Sequence, residues 1–206
     1  MRTQFLRTLR SPSVEAEQRA AYGTSRAPAA GLAQQWLGPD EAAFIAARDS
    51  FYLASIGNEG WPYVQHRGGP KGFVRVLDET RIAFGDYNGN RQLLTTGNAR
   101  ADDRVTLFLM DYPARERLKL IGHAEILTPA EAAARLPSLP MPRDAKLERV
   151  FVITVTGFDW NCPKFITPRY TAEEVAEATA PLHDRIAELE AALAARSPVP
   201  RPPPTP

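Results

Sequence analysis

The sequence has one cysteine, Cys162, so no disulfide framework can form within the chain, and a reducing compartment is expected. It has no run near eighteen apolar residues, so no membrane-spanning helix is expected. Neither charge sign is in excess: 25 basic residues stand against 24 acidic ones, for a formal net charge of +1. A nucleic-acid binder that relies on overall positive charge is thereby excluded, and no nucleic-acid partner is expected. Three separated histidines and a lone cysteine make no metal-ligand spacing, so no metal is expected either. Residues 1–7 carry charge without an apolar stretch behind it, unlike a secretion signal. The resulting expectation is a soluble, cytoplasmic protein. What is present is ordinary globular material: 206 residues, 44% hydrophobic and 24% charged, enough for one domain or two small ones with a real core.

Residues 1–38 read as an N-terminal arm, with a helical pattern at 14–22 and then a loop rich in Gly, Ala and Pro. A better helix starts at Pro39, where Asp40 can cap the free N–H groups, Glu41 suits the positive end, and residues 42–46 supply an apolar face. From Phe51 the period changes to that of strands: 51–56, 61–67, 73–77, 81–84, 104–110, 117–127 and 150–156. Pro62 demotes the second to an edge or strand end, and 78–80 joins the third and fourth as a hairpin. Helices are expected at 90–99 and 129–136, with a loop at 137–142. In 117–127 the alternation places Leu118, Leu120, Gly122, Ala124 and Ile126 on one face, and Arg117, Lys119, Ile121, His123 and Glu125 on the other. The 104–110 strand is apolar on both faces apart from Thr106, so one face fills a core and the other needs a cover, such as a second copy. Seven short strands with close turns predict a mainly β (α+β) fold, an antiparallel barrel or sandwich; regular strand–helix alternation is missing, which argues against a doubly wound parallel sheet.

The C-terminal part differs. Thr171-Ala172-Glu173-Glu174 can cap a helix running to about residue 195. Val175, Thr179, Leu182, Ile186, Leu189 and Leu193 follow a four–three spacing that Pro181 interrupts. That stripe fits a coiled-coil seam or an amphipathic helix packed on its own domain, and both readings stay open. Residues 197–206 are rich in proline and are expected to be disordered. The expected organisation is an arm (1–38), a β domain (39–170), an amphipathic helix (171–196) and a tail (197–206).

Two stretches carry chemistry. Gln65-His66-Arg67-Gly68-Gly69-Pro70-Lys71-Gly72 puts two cations, a histidine and three glycines between strands, where the backbone can approach a ligand and the cations match a phosphate. Gly85-Asp86-Tyr87-Asn88-Gly89-Asn90-Arg91-Gln92 leaves a strand and enters a helix, with Asn90 as N-cap and Arg91 beside it, a setting that favours anions. Each alone also reads as a turn with solvated charges. Cys162, beside Pro163 and Lys164, is either a small residue fixing a turn or a thiol with a lowered pKa.

Phe51-Tyr52-Leu53-Ala54-Ser55, then Gly60-Trp61-Pro62-Tyr63-Val64-Gln65-His66-Arg67-Gly68-Gly69-Pro70-Lys71-Gly72-Phe73, resembles the pyridoxamine 5′-phosphate oxidase-related flavoproteins. Gly89-Asn90-Arg91-Gln92, Asp111-Tyr112-Pro113 and Asn161-Cys162-Pro163-Lys164-Phe165-Ile166 extend the resemblance over residues 40–170. It implies a split β-barrel of six or seven antiparallel strands with flanking helices, a homodimer, and FMN at the subunit interface. By the same resemblance Arg67 and Lys71 contact the flavin phosphate or ribityl chain, and Asn90 and Arg91 hold the phosphate. Phe84, Gly85 and Asp86 run along the ribityl chain or ring edge. Trp160 and Arg169, with Lys164 between them, are contributed across the interface. His66 is a binding residue beside the ligand. Gln92 stands where the family has a basic residue, and Leu118 where it has a glutamine that meets the flavin. The chain ends in a helix and a proline-rich tail instead of the arginine-bearing substrate motif of pyridoxamine phosphate oxidases. The implied function is an FMN-dependent oxidoreductase passing hydride from a small organic substrate to flavin N5, with no catalytic side chain assigned. Alternatives are a flavin-binding module without turnover, pyridoxamine phosphate oxidation itself, and deazaflavin or haem in place of FMN.

Overall fold

The computed structural model describes residues 4–25, 35–89, 91–160 and 163–195. Alternating and two-sided apolar runs form seven strands: β1 Ser50–Ile56, β2 Pro62–Gly68, β3 Arg75–Val76, β4 Arg81–Tyr87, β5 Arg104–Asp111, β6 Glu116–Leu127 and β7 Leu147–Trp160. Helices are α1 Gln4–Leu9, α2 Pro12–Tyr22, α3 Pro39–Ala46, α4 Leu94–Ala101, α5 Pro129–Arg135 and α6 Ala172–Ala195. All strands pair antiparallel in one sheet of order β2-β1-β5-β6-β7-β4-β3. Three strands separate β1 from β4 in that order, yet the Phe51 and Phe84 rings are 5.0 Å apart. The sheet therefore wraps around a core and leaves a seam between β2 and β4, which is the split barrel expected from the sequence.

Inside lie Phe51, Leu53, Phe73, Phe84, Leu107, Leu118, Leu120 and Phe151, all fully buried. Phe84 stacks on Phe151 at 5.2 Å between centroids, and Phe51 on Phe73 at 5.7 Å. Leu118, Leu120, Ala124 and Ile126 of β6 serve this core as the alternation predicts. Opposite Ile121 and Gly122 the pairing with β7 shifts by one residue, because Gly157 faces Ile121 while Val155 faces Gly122. A side chain at Gly122 would put its Cβ 2.3 Å from the Thr154 carbonyl oxygen, so this close crossing needs glycine. On β5, Val105, Leu107 and Leu109 point inward and are buried, while Thr106, Phe108 and Met110 are half-buried on the outer face. A second, smaller cluster of Ala83, Leu127, Ala132, Val150 and Val152 surrounds α5. That helix is fixed by a reciprocal cap between Thr128 and Glu131.

Some local expectations move. Helix α3 is capped at Gly38, whose N–H donates to Glu41 Oε2 at 2.9 Å; Pro39 takes the first helical position, so Asp40 is inside the helix and is not the cap. The strand expected at 73–77 shrinks to Arg75–Val76, because the Phe73 N–H closes a turn onto the Pro70 carbonyl at 2.9 Å. Helix α4 starts at Leu94 and not near residue 90, since Arg91 and Leu93 have φ of 60° and 54°, left-handed values that a helix cannot contain. Its cap position is Leu93; Asn90, the expected N-cap, lies outside the described residues. The short helix α1 was not expected. Its Phe5 is buried against Gly157, and Gln35 Oε1 accepts from the N–H groups of Phe5 and Phe158, both at 3.2 Å.

The chain divides into two compact units, residues 1–166 and 167–206. In the second, α6 is capped as predicted, with the Thr171 N–H donating to Glu174 Oε2 at 2.8 Å and the Glu174 N–H to Thr171 Oγ1 at 3.1 Å. No residue of α6 is buried. No helix among the described residues is long and apolar enough to cross a membrane.

Candidate functional site

Strand period two sets the site. Gln65 and Arg67 are two residues apart on β2, so both turn to the barrel side, while Val64 and His66 turn outward. Across the seam, Asp86 on β4 faces Arg149 on β7 as a directly opposed cross-strand pair. Asp86 Oδ1 accepts a close hydrogen bond from the Arg67 guanidinium, and Oδ2 accepts from Arg149 Nε at 2.8 Å. One nearly buried carboxylate thus ties β2 to β4 and β7, with the Arg67 guanidinium also 5.6 Å from the Phe151 ring centre. Arg149 Nη2 donates to Glu148 Oε2 at 2.7 Å. Burial alone would lower the pKa of Arg149, but its hydrogen bond to Asp86 and the nearby negative charges outweigh this and raise it.

Beside this triad is a polar pocket of about 180 Å³, bounded by Gln65, Arg67, Asp86, Tyr87, Gly89, Arg91, Leu93, Thr95, Glu148 and Arg149. Thr95 Oγ1 donates to Gln65 Oε1 at 2.6 Å, holding the first turn of α4 against β2. Tyr87 donates its hydroxyl to the Pro140 carbonyl at 3.0 Å, and burial pushes its pKa up. Three guanidinium groups against two carboxylates leave the lining one positive charge in excess. Two donors are uncommitted. Arg67 Nε is buried without a hydrogen-bond partner, and Arg91 is exposed with none among the described residues. A buried N–H of a charged group without a partner is costly, and an anion in the pocket would relieve it. The donor set thus fits a phosphate group.

Of the residues singled out from the sequence, the pocket gathers Arg67, Asp86 and Arg91. The Phe84 side chain lies in the core, and Gly85 is buried beneath the Tyr87 ring, so neither offers the pocket a side chain. Lys71 is exposed in the turn after β2, and Gln92 is exposed beside Arg91; neither lines the pocket. His66 lies on the opposite face of β2 from Arg67, edge-on to Tyr52 at 5.6 Å. Trp160 donates from Nε1 to Glu41 Oε1 at 2.7 Å and packs edge-on against Phe44, away from the pocket. Lys164 is exposed near the Phe165 ring, and Arg169 belongs to the second unit. Asn90 and Cys162 lie outside the described residues. Sequence reasoning missed Arg149, Glu148 and Thr95. The available signal is a Glu-Arg pair just before an apolar run: β7 begins at Leu147, three residues before the apolar run at Val150, and so includes both.

A larger, apolar groove of about 370 Å³ lies on the outer side of the sheet, between Thr8 and Leu9 of α1 and residues such as Ala54, Ile56, Thr106 and Ile121. Among the described residues no three metal-ligating side chains come together.

No curated protein matches the chain. Solved structures similar to it include a Lactobacillus delbrueckii protein assigned as a pyridoxamine 5′-phosphate oxidase, at 17% identity, 62% of this chain, 97% of that one and a TM-score of 0.46. HupZ of Group A Streptococcus is similar at 13% identity, 66% of this chain, 99% of that one and a TM-score of 0.43. A conserved hypothetical protein of Mycobacterium tuberculosis is similar at 19% identity, 68% of this chain, 95% of that one and a TM-score of 0.45. The profile of one family, described as pyridoxamine 5′-phosphate oxidase, matches residues 37–159, more than half of the 206 residues. Since that stretch runs from the entry to α3 almost to the end of β7 and contains the whole lining of the polar pocket, the chain belongs to the pyridoxamine 5′-phosphate oxidase family.

Proposed function

We propose that the protein is a cytoplasmic, homodimeric FMN-binding oxidoreductase acting on a small organic substrate, with the flavin phosphate seated in the pocket at the barrel seam. The carrying observation is the pair of uncommitted arginine donors there, Arg67 Nε and the Arg91 guanidinium, in a lining with a positive excess. Arg67 and Arg91 hold the phosphate. Arg149 acts through Asp86, keeping the Arg67 guanidinium in place. Asn90 adds to the phosphate contacts, Lys71 reaches the ligand from the turn outside the pocket lining, and the backbone of Phe84 and Gly85 borders the chain leading to the ring. When bound, FMN supplies hydride acceptance at N5, so the protein needs to orient substrate and exclude water and is assigned no catalytic side chain.

Size supports the dimer. A pocket of about 180 Å³ holds a phosphate and part of a sugar chain, whereas sites for whole ligands of drug size span roughly 300–1,000 Å³. The ring system therefore extends beyond the seam and needs a second cover. The outer face of β2, β1 and β5 offers a surface for the other copy: His66, Tyr52 and Phe108 form one cross-strand row, and Val64, Ala54 and Thr106 the next. Tyr52 and Val64 are 42% and 59% exposed, which is unusual for apolar residues in mid-strand. His66, Trp160, Lys164 and Arg169 are proposed to meet the flavin held by the other subunit.

Fluorescence titration of the purified chain with FMN tests the reading. Saturable quenching is expected, and weaker binding in Arg91→Ala. A chain that neither copurifies with nor binds FMN overturns it. Anaerobic mixing of the loaded protein with NADH, NADPH and a panel of oxidisable amines then separates an oxidoreductase, whose flavin bleaches, from a module that binds without turnover. Pyridoxal phosphate and hydrogen peroxide as products would identify pyridoxamine phosphate oxidation.

A further inference from the structure

We propose that α6 is one strand of a parallel two-stranded coiled coil, formed with the α6 of a second copy of this chain. The helix has 24 residues and none is buried. Its large apolar residues are all exposed: Val175 49%, Leu182 62%, Ile186 52%, Leu189 52% and Leu193 70%. Within its own unit this face of a capped, three-heptad helix has no packing partner, and an isolated helix gains little stability without one.

The pattern of the residues selects the partner. With Thr179, Ile186 and Leu193 at heptad position a, Val175, Leu182 and Leu189 fall at d. Ile186 at a is flanked by Leu182 and Leu189 at d, the combination that favours two parallel strands over three or four. Flanking charge fixes the orientation. Arg185 then occupies g and Glu190 the following e, the two positions that meet between chains in a parallel pair. The twofold axis brings this contact about twice. An antiparallel pair of full overlap, with Leu182 opposite Ile186, would instead set Arg185 against Arg185. Like charges placed opposite one another disfavour that arrangement.

Pro181 is compatible with the seam. It falls at position c, so the hydrogen bond it cannot donate, to the Glu177 carbonyl, is lost on the side away from the partner. Within one chain Arg185 Nη1 donates to Glu188 Oε2 at 2.8 Å, and both side chains are about two-thirds exposed, so the guanidinium can turn to Glu190 of another copy at little cost. The seam is short. Its persistence is aided if the barrels also associate, because tethering raises the effective concentration of the two helices. The proposal does not rest on the flavin reading, and it holds for a chain that binds no FMN.

Cysteine cross-linking of the full chain tests it, in a Cys162→Ser background. Leu189→Cys places identical d residues face to face, and Asp184→Cys at position f places them on outer surfaces. Under mild oxidation Leu189→Cys should form a covalent dimer at least about tenfold faster than Asp184→Cys, reflecting the higher local concentration in a paired seam. Arg185→Glu should slow the Leu189→Cys reaction, and Arg185→Glu combined with Glu190→Arg should restore it. These surface variants should leave the thermal midpoint of the barrel unchanged, which shows that they fold. Equal rates for the d and f positions overturn the proposal. So does rapid linkage only between a Thr179→Cys chain and a Leu189→Cys chain, the antiparallel signature. A sedimenting dimer whose Leu189→Cys chains do not link overturns the paired α6 while leaving barrel association standing.

Discussion

At the scale of single residues, two arginines of one pocket have different duties. Arg67 is committed on one side to Asp86, which Arg149 also holds, and its Nε remains unpartnered; Arg91 is exposed and uncommitted among the described residues. Substituting Arg91 should therefore affect the ligand and not the fold. Arg91→Ala is expected to keep the wild-type urea midpoint and to lose about 1.5–3 kcal/mol of FMN affinity by fluorescence titration, as for hydrogen bonds to charged groups. Asp86→Asn should do the reverse first. It leaves two nearly buried guanidiniums without their shared counter-charge, and urea unfolding should show a loss of about 3 kcal/mol, near the low end for breaking a buried pair. The sequence made Arg67, Asp86 and Arg91 legible because each sits in a glycine-rich turn or at a strand end. Arg149 was not, since what gives it a role is its register opposite Asp86, a pairing 63 residues away in the chain. His66 shows the converse: it stands in the same glycine-rich stretch as Arg67, but period two on β2 turns the two side chains to opposite faces.

At the scale of elements, strand positions were readable wherever apolar residues alternate or fill both faces, and β1, β2, β5 and β6 lie within one or two residues of their expected bounds. Where backbone geometry decides, they were not: the left-handed Arg91 and Leu93 delay α4, and nothing in the composition of residues 4–9 announces that Phe5 is anchored by Gln35. The crossing of β6 and β7 gives a sharp test. Because the obstructing atom at Gly122 is backbone, it cannot turn aside, and Gly122→Ala should cost at least about 1–3 kcal/mol in thermal or urea unfolding, as overpacking does. The β3–β4 hairpin carries a pH signal. Burial raises the pKa of Asp78, but the Thr80 N–H and hydroxyl and then Arg81 outweigh it and hold the carboxyl at about 2, below its ordinary 3.8. A depressed carboxyl stabilises the fold above the unfolded value, and that contribution fades as pH falls from about 4 towards about 2. Asp78→Asn should thus be less stable than wild type near neutral pH, by no more than about 1 kcal/mol given the exposure of the pair, and the gap should close on acidification.

At the scale of the whole molecule, the family was legible in the order of its short motifs, but the seam that makes the site was not, because it joins strands from opposite ends of the sheet order. The same geometry bears on assembly. The phosphate-sized pocket at the seam cannot enclose a flavin ring, and the outer face of β5 presents half-buried Phe108 between Tyr52 on β1 and Lys119 on β6. In a single chain a charge at Phe108 would reach solvent and the barrel would keep its fold. In a dimer closed over this face it would be buried without a partner, at a cost of several kcal/mol. In an Ile186→Asp background, whose α6 cannot pair, Phe108→Asp is therefore expected to keep its thermal midpoint at low protein concentration, to sediment as a monomer where the Ile186→Asp chain alone is expected to sediment as a dimer, and to bind FMN far more weakly. The three readouts separate the parts of the idea. A monomer that binds FMN as tightly as the wild type would place the whole ligand site within one subunit. An undisturbed dimer would move the interface off this face of the sheet, and would leave the exposure of Tyr52 and Val64 to be explained by a different partner.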